Sequence, residues 1–160
     1  MDLAPSPQAG GRYQAPDFEL PNQFGEPVRL SDLRGQPVLV VFFPFAFSGV
    51  CTGELDELET VREDFHRGGL RILAVSCDSK YALRAYSQAR SYSFDLLADF
   101  WPHGRVADAY GAFDVELGRP RRASFLIDQE GVVRTEVRSG AGTPRPLQAY
   151  RDAFRELTAA

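Results

Sequence analysis

Hydrophobic positions along this chain change period several times, and each change marks an element. Asp17-Phe18-Glu19-Leu20 and Val28-Arg29-Leu30 alternate with a period of two around the turn residues 21–25, which predicts a short β-hairpin. Residues 37–43 form a near-continuous apolar run rich in Val and Phe, the pattern of a central strand covered on both faces. From Cys51 the apolar positions Leu55, Leu58, Val61 and Phe65 recur at three- to four-residue spacing, with Glu54, Asp56, Glu57 and Glu59 between them. That spacing predicts an amphipathic helix over 51–65, its acids complementing the positive end of the helix dipole and its stop at Gly68-Gly69. Residues 70–75 read as a second buried strand, 79–89 as a helix, and 94–98 as a short strand. A hairpin is predicted at 124–128 and 132–137, and a closing helix over 146–157 with Leu147, Tyr150, Phe154 and Leu157 on one face.

Strand-helix-strand-helix followed by a hairpin and a helix is an α/β layered order, and right-handed crossovers lay the Cys51 helix across the sheet. The expected fold is thioredoxin-like, a central mixed sheet flanked by helices with a β-hairpin near its N-terminus. A length of 160 residues suits one hydrophobic core, and no internal repeat or linker-like stretch divides it. Residues 1–14, with Pro5, Pro7, Gly10 and Gly11, read as a loose arm ahead of a single domain over 15–160.

Charge narrows the partners. A formal net charge of -4 with no basic run argues against a nucleic acid or an anionic membrane surface as the partner. The longest apolar stretch is far short of the roughly 20 residues that span a bilayer. No charged-then-apolar leader opens the chain, so a cytoplasmic protein is expected. Two cysteines, Cys51 and Cys77, are too few for a disulfide scaffold, and with only His66 and His103 beside them show no zinc-ligand spacing. Neither a metal nor a cofactor is expected, and cysteine chemistry here is redox or nucleophilic.

The informative segment runs from Pro44 to Glu54, leaving a buried strand, turning through Gly49 and opening a helix near Cys51. Ligands of open α/β sheets bind at this junction, beyond the carboxyl ends of the strands. A sulfur there meets unpaired backbone N–H groups and the positive end of the dipole, which favour thiolate over thiol. Ser48 brings a hydroxyl near it, and Pro44 with the neighbouring phenylalanines restricts water. Ionisation alone is not enough for fast chemistry. An ordinary thiol is already a few per cent ionised at pH 7, so complete ionisation gains at most roughly thirtyfold, about 2 kcal/mol. Nucleophilic attack by such a sulfur also demands a fixed cation for the charge developing on the departing group. Arg122, at the start of the apolar strand 123–127, is the candidate, its guanidinium fork able to meet both the sulfur and that group.

Pro44-x-x-x-Ser48-x-x-Cys51 with Glu54 resembles the active-site motif of the peroxiredoxins. Ala15-Pro16-Asp17-Phe18, Val75-Ser76-Cys77-Asp78-Ser79 and the segment from Arg122 to Asp128 match as well, so the resemblance covers nearly all of residues 13–160. Phe43-Pro44-Phe45-Ala46-Phe47 and Asp99-Phe100-Trp101-Pro102-His103-Gly104 are most similar to the AhpE-type branch, usually one-cysteine enzymes. The resemblance implies a thiol peroxidase acting on hydrogen peroxide or organic hydroperoxides through a Cys51 sulfenic acid. In it Cys51 is the nucleophile, Ser48 bonds the peroxide, Pro44 shields the sulfur, Arg122 activates it, and Glu54 orients Arg122. The backbone N–H groups of Val50 and Cys51 are the candidate peroxide donors. Ser48 stands where Thr is usual, keeping the hydroxyl and losing the methyl that helps fix its rotamer. A homodimer is implied by the resemblance alone.

With no secure internal partner for the sulfenic acid, an external small thiol or a thioredoxin- or glutaredoxin-like protein is expected to regenerate it. Members of the family with a resolving cysteine carry it five residues past the nucleophile, in a later helix or in a C-terminal extension. Here position 56 is Asp and the C-terminus has no cysteine, so Cys77, at the end of the strand expected beside the one leading to Pro44, is the alternative resolving partner. A further alternative is a non-catalytic redox sensor or relay that passes oxidation from Cys51 to another protein. A thioredoxin-type disulfide carrier would need Cys-x-x-Cys, and Cys51-Thr52-Gly53-Glu54 lacks the second thiol. His66 and His103 read as surface or loop residues, Phe100, Trp101 and Tyr110 as packing residues, and the acids from Glu54 to Glu59 as mostly a solvated helix face.

Overall fold

In the computed structural model, which describes residues 12–140 and 142–159, the apolar run after Pro37 becomes β4 (Val38–Phe42), buried at every position. Alternation along it serves two cores. Leu39, Val41 and Phe43 point to one face of the sheet, while Val38, Val40 and Phe42 point to the other. Such a strand can only sit in the middle, and β4 does so in a six-stranded sheet.

Parallel to β4 lies β5 (Arg71–Ser76), and parallel to β5 lies β6 (Asp95–Ala98). Parallel neighbours need long crossovers. These are α1 (Gly49–Arg67) and α2 (Lys80–Arg90), both on the Leu39 face. On the other side of β4, β9 (Ala123–Ile127) runs antiparallel and turns into β10 (Val132–Arg138). The last helix, α4 (Leu147–Ala159), returns to the Leu39 face and adds Tyr150 and Ala153 to its core. The hairpin of β2 (Glu19–Pro21) and β3 (Pro27–Arg29) covers the opposite face with α3 (Arg105–Ala109).

The thioredoxin-like architecture and the N-terminal hairpin agree with the sequence pattern, and four features differ from it. Tyr13 and Gln14, read as the end of the arm, form β1 (Tyr13–Gln14), which pairs with Val133 and Val132 of β10. The remainder of the arm, residues 1–11, lies outside the described residues. Neither α3 nor the two-residue ribbon of β7 (Phe113–Asp114) and β8 (Arg119–Pro120) has a periodic signal. The helix α1 begins at Gly49, two residues early, so Glu54 lies beyond its first turn and does not serve the dipole. Of the aromatic residues expected to pack, Tyr110 is fully buried, but Phe100 and Trp101 are exposed.

Leu58 fixes α1 to the sheet through a side chain only 1% exposed. Leu58→Ala is expected to lower unfolding free energy by about 2–5 kcal/mol in urea titration, through lost burial and a residual cavity.

Candidate active site

Four elements converge on Cys51. After β4 the chain continues through Phe43, whose N–H donates to the Val75 carbonyl at 3.0 Å, and then through buried Pro44. The Ala46 N–H donates to Asp78 Oδ2 at 2.8 Å, the same oxygen that accepts from Ser76 Oγ at 2.7 Å, tying the loop to the end of β5. Phe47 takes a left-handed backbone conformation with φ of 67°, a state that costs a non-glycine residue roughly 1–2 kcal/mol, and its ring rests on Tyr86 at 4.8 Å. This turn lets α1 start at Gly49.

The sulfur of Cys51 lies at the base of the junction, with the residue fully buried. The first-turn amides of Gly49, Val50 and Cys51 precede the first intrahelical bond, from the Thr52 N–H to the Ser48 carbonyl at 2.9 Å. Ser48 makes no side-chain cap, and its Oγ is buried without a partner among the described residues. A buried hydroxyl left unbonded costs about 1–3 kcal/mol, and Ser48 is also one of the residues that line the cavity beside Arg122.

Arg122, one residue ahead of β9, donates from Nη2 to Cys51 Sγ at 3.3 Å and from Nη1 to Glu54 Oε1. The carboxylate of Glu54 is shared. Its Oε2 accepts from the backbone N–H of Arg145 at 3.0 Å and from Arg145 Nε at 2.6 Å. Arg145 Nη1 donates in turn to the Phe42 carbonyl at 2.6 Å and to Ser124 Oγ at 3.1 Å, and Ser124 Oγ shares a hydrogen bond with Tyr150 OH at 2.8 Å. All three ionic side chains are buried, with relative exposures of 7% for Arg122, 4% for Glu54 and 0% for Arg145. Two guanidinium groups and one carboxylate leave one net positive charge in a site of low dielectric. A thiolate at Cys51 neutralises it and a thiol does not.

The structure thus brings together Pro44, Ser48, Val50, Cys51, Glu54 and Arg122, and of the acids from Glu54 to Glu59, read as mostly a solvated face, Glu54 is the buried exception. Glu54 is buried and ion-paired because it follows Cys51 by three residues and precedes Leu58 by four, on the apolar stripe. Arg145 was missed, since the loop before α4 has no periodicity. Its signal was a cation two residues ahead of α4, where the helix dipole disfavours one.

Cys77 is placed elsewhere. It follows Ser76 on the β5 alternation that sends Leu73 and Val75 to the face opposite α1. The thiol is pushed up to about 12, first by burial and then by the nearby carboxylates of Asp99 and Asp78, against a hydrogen bond from the Gly104 backbone. At neutral pH it is a thiol. His103 bonds the Gly118 carbonyl through Nε2 at 2.7 Å, and among the described residues no group of His, Cys, Asp and Glu side chains suits a metal ion. Nor is any described helix long and apolar enough to cross a membrane.

Removing Arg145 leaves Glu54 with half of its ion pairing inside the protein. Arg145→Met is expected to lose about 3–5 kcal/mol of stability, read by urea or thermal unfolding, while Arg145→Lys recovers part of it.

Residues 12–136 match the AhpC/TSA family. The chain is similar to alkyl hydroperoxide reductase E of Mycobacterium tuberculosis, with 38% identity over 146 residues, 91% of this chain and 95% of that protein. It is also similar to peroxiredoxin Bcp of Escherichia coli, with 33% identity over 125 residues, 74% of this chain and 79% of the other. Among solved structures, peroxidoxin BcpB from Mycobacterium tuberculosis superposes with a TM-score of 0.78 at 29% identity, covering 92% of this chain and 95% of that one. The AhpC of Enterococcus faecalis gives a TM-score of 0.80 at 28% identity, over 91% and 89% of the two chains. With most of its length matched by the family and by relatives that share its fold, the chain belongs to the AhpC/TSA family and is an enzyme of the peroxiredoxin type.

Proposed function

We propose that the protein reduces hydrogen peroxide or organic hydroperoxides at Cys51 by a one-cysteine cycle completed by an external thiol. The observation that carries it is the 3.3 Å approach of Arg122 Nη2 to Cys51 Sγ, Arg122 itself lining a cavity of about 380 Å³ together with Pro44, Ser48 and Val50. In the first step the thiolate attacks one peroxide oxygen. The S–O bond forms as the O–O bond breaks, sulfur gives up two electrons, and the departing oxygen leaves as water or alcohol after taking a proton. Arg122 and the free first-turn amides of Val50 and Cys51 face the charge that develops on that oxygen, and Ser48 Oγ bonds the peroxide. Pro44 keeps bulk water from the sulfur, and Glu54 orients Arg122.

In the second step an external thiolate attacks the Cys51 sulfenic acid, forming an S–S bond and expelling hydroxide, which leaves as water. A second thiol then displaces Cys51 as thiolate, so one peroxide and two thiols become one alcohol or water, one further water and one disulfide. Cys77 is a poor resolving group on two grounds. Its thiol is almost wholly protonated at neutral pH, and its side chain lies among Asp99, Asp78 and the Gly104 backbone, with no contact to Cys51 among the described residues. Position 56, five residues past Cys51, carries an aspartate engaged by Arg90 and by Tyr92 OH at 2.8 Å. A cycle that consumes thiols in a protein with two free cysteines suits the reducing cytoplasm.

Stopped-flow mixing of reduced protein with one equivalent of peroxide tests the cycle. Rapid consumption is expected for the unmodified protein and for Cys77→Ser, with a sulfenic acid at Cys51 by mass spectrometry, and a loss of at least about 10³-fold for Cys51→Ser. Undiminished consumption by Cys51→Ser overturns the assignment, and an intramolecular Cys51–Cys77 disulfide moves it to a two-cysteine mechanism. A redox relay in place of an enzyme predicts no turnover under excess reductant.

We further propose a homodimer as the working unit, supported by the exposed aromatic side chains Phe47, Phe100 and Trp101, which a monomer leaves in water. Sedimentation equilibrium at micromolar concentration is expected to give twice the 17.8 kDa chain mass, and a monomer mass overturns it.

A further inference from the structure

Beyond the sulfur the cavity changes character. Its wall includes Arg122, whose guanidinium touches the buried Cys51 sulfur, and it carries two more arginines, Arg119 and Arg121, set beside the apolar side chains of Phe45 and Leu117. The catalytic scheme above uses neither. Arg119 is half-buried, with its guanidinium over the ring of Phe45 at 5.7 Å from the centroid, and among the described residues it has no carboxylate partner. That contact holds the cation against an apolar wall, where water screens it less than on an open surface. Arg121 is more exposed and has only a long contact, 3.9 Å, to Asp114 Oδ2. Asp114 is otherwise committed to its own turn, with Oδ1 accepting from the N–H groups of Glu116 and Leu117 at 3.1 Å each. This part of the wall is therefore electropositive in a chain of formal net charge -4.

Hydrogen peroxide has no use for such a wall. Two oxygens reach Arg122 and Ser48 and leave the rest of the cavity unfilled. We infer that Arg119 and Arg121 form a subsite for the carboxylate of a larger reactant, whose short apolar stem lies along Phe45 and Leu117 while its reacting end meets Cys51. The subsite deepens the peroxidase assignment and rests on it. The same chemistry serves two reactants, a hydroperoxide in the first half of the cycle or a small thiol in the second. Both are small molecules of a size that a cavity of about 380 Å³ accommodates.

The experiment compares reactants that differ only in charge. In the reductive arm, decay of the Cys51 sulfenic acid is followed with 3-mercaptopropionate and with its methyl ester. In the oxidative arm, its formation is followed with an aliphatic hydroperoxide bearing a terminal carboxylate and with the methyl ester of the same compound. Esterification also shifts the acidity of the thiol, so the quantity read is the acid-to-ester rate ratio of the unmodified protein divided by that of Arg119→Gln/Arg121→Gln. This quotient is expected to be about tenfold at low salt in at least one arm, within the range of electrostatic steering, and to fall toward one as ionic strength rises. Arg119→Lys, which keeps the charge, is expected to retain most of it. The arm in which the quotient appears names the carboxylate-bearing reactant. A quotient of one in both arms, or a preference for the acid that neither salt nor the substitutions alter, overturns the subsite. That failure differs from failure of the assignment beneath it, in which the unmodified protein does not consume hydrogen peroxide and both fall together.

Discussion

Everything at the active site depends on one buried carboxylate held between two guanidinium groups. Glu54 carries a single negative charge, and Arg122 and Arg145 approach it from opposite sides with almost no water to screen them. Burying three ions costs several kcal/mol each unless they are paired and hydrogen-bonded. The fold supplies partners from the backbone, the Phe42 carbonyl for Arg145 and the Arg145 N–H for Glu54, which ties the network into the junction of β4, α1 and the loop before α4, although Arg122 Nε and Arg145 Nη2 have no partner among the described residues. The remaining imbalance is one positive charge, directed at Cys51 through Arg122 Nη2. Under the proposed chemistry an anion on sulfur completes the set, with Arg122 already beside it.

That arrangement explains why the sheet has the order it does. The central strand β4 is flanked by parallel β5 and antiparallel β9, so its carboxyl end opens beside the start of β9. The chain leaving β4 therefore meets Arg122 entering β9, across the register pair Phe42 and Ala123. A fully parallel sheet would bring only strand ends there. One antiparallel neighbour brings a strand beginning, and with it a cation fixed by the Ser139 N–H bond to the Arg122 carbonyl at 3.1 Å.

How much of this was legible in the sequence followed from how regularly burial repeats. Strands covered on both faces, such as β4 and β5, and the long stripe of α1 carry their own period, and the motif from Pro44 to Glu54 located the site. The short elements carry none. The five residues of α3 pack Val106 and Ala107 into the core and are capped by Asp99, whose carboxylate accepts from the N–H groups of Val106 and Ala107 at 3.1 and 2.9 Å. Burial pushes that carboxyl up, and nothing in a run of sequence announces such a cap. Arg145 was hidden for the same reason. Its role depends on contacts with Phe42, Glu54 and Ser124, all distant along the chain. Glu54 could have been recognised as buried without its partners, because an acid on the apolar stripe of a helix must be either paired or costly.

The first turns of α1 are held as firmly as the ions beneath them. Thr52 Oγ1 shares a hydrogen bond with Tyr86 OH at 2.8 Å, and Tyr92 OH donates to Asp56, which Arg90 also engages. Burial acts to raise the Asp56 carboxyl, but the bonds from Arg90 and Tyr92 outweigh it and hold the carboxyl below its ordinary range, as expected of an anion spent on fastening α1 to α2. Tyr86 in turn carries the ring of Phe47, whose left-handed backbone sets the angle at which the loop enters the helix. A mechanism in which the oxidised cysteine swings out to meet a distant thiol would have to break these contacts together. The proposed cycle, in which the second reactant enters the cavity lined by Arg122 and Ser48, asks for none of these contacts to break, and the aspartate standing five residues beyond Cys51 is itself one of them.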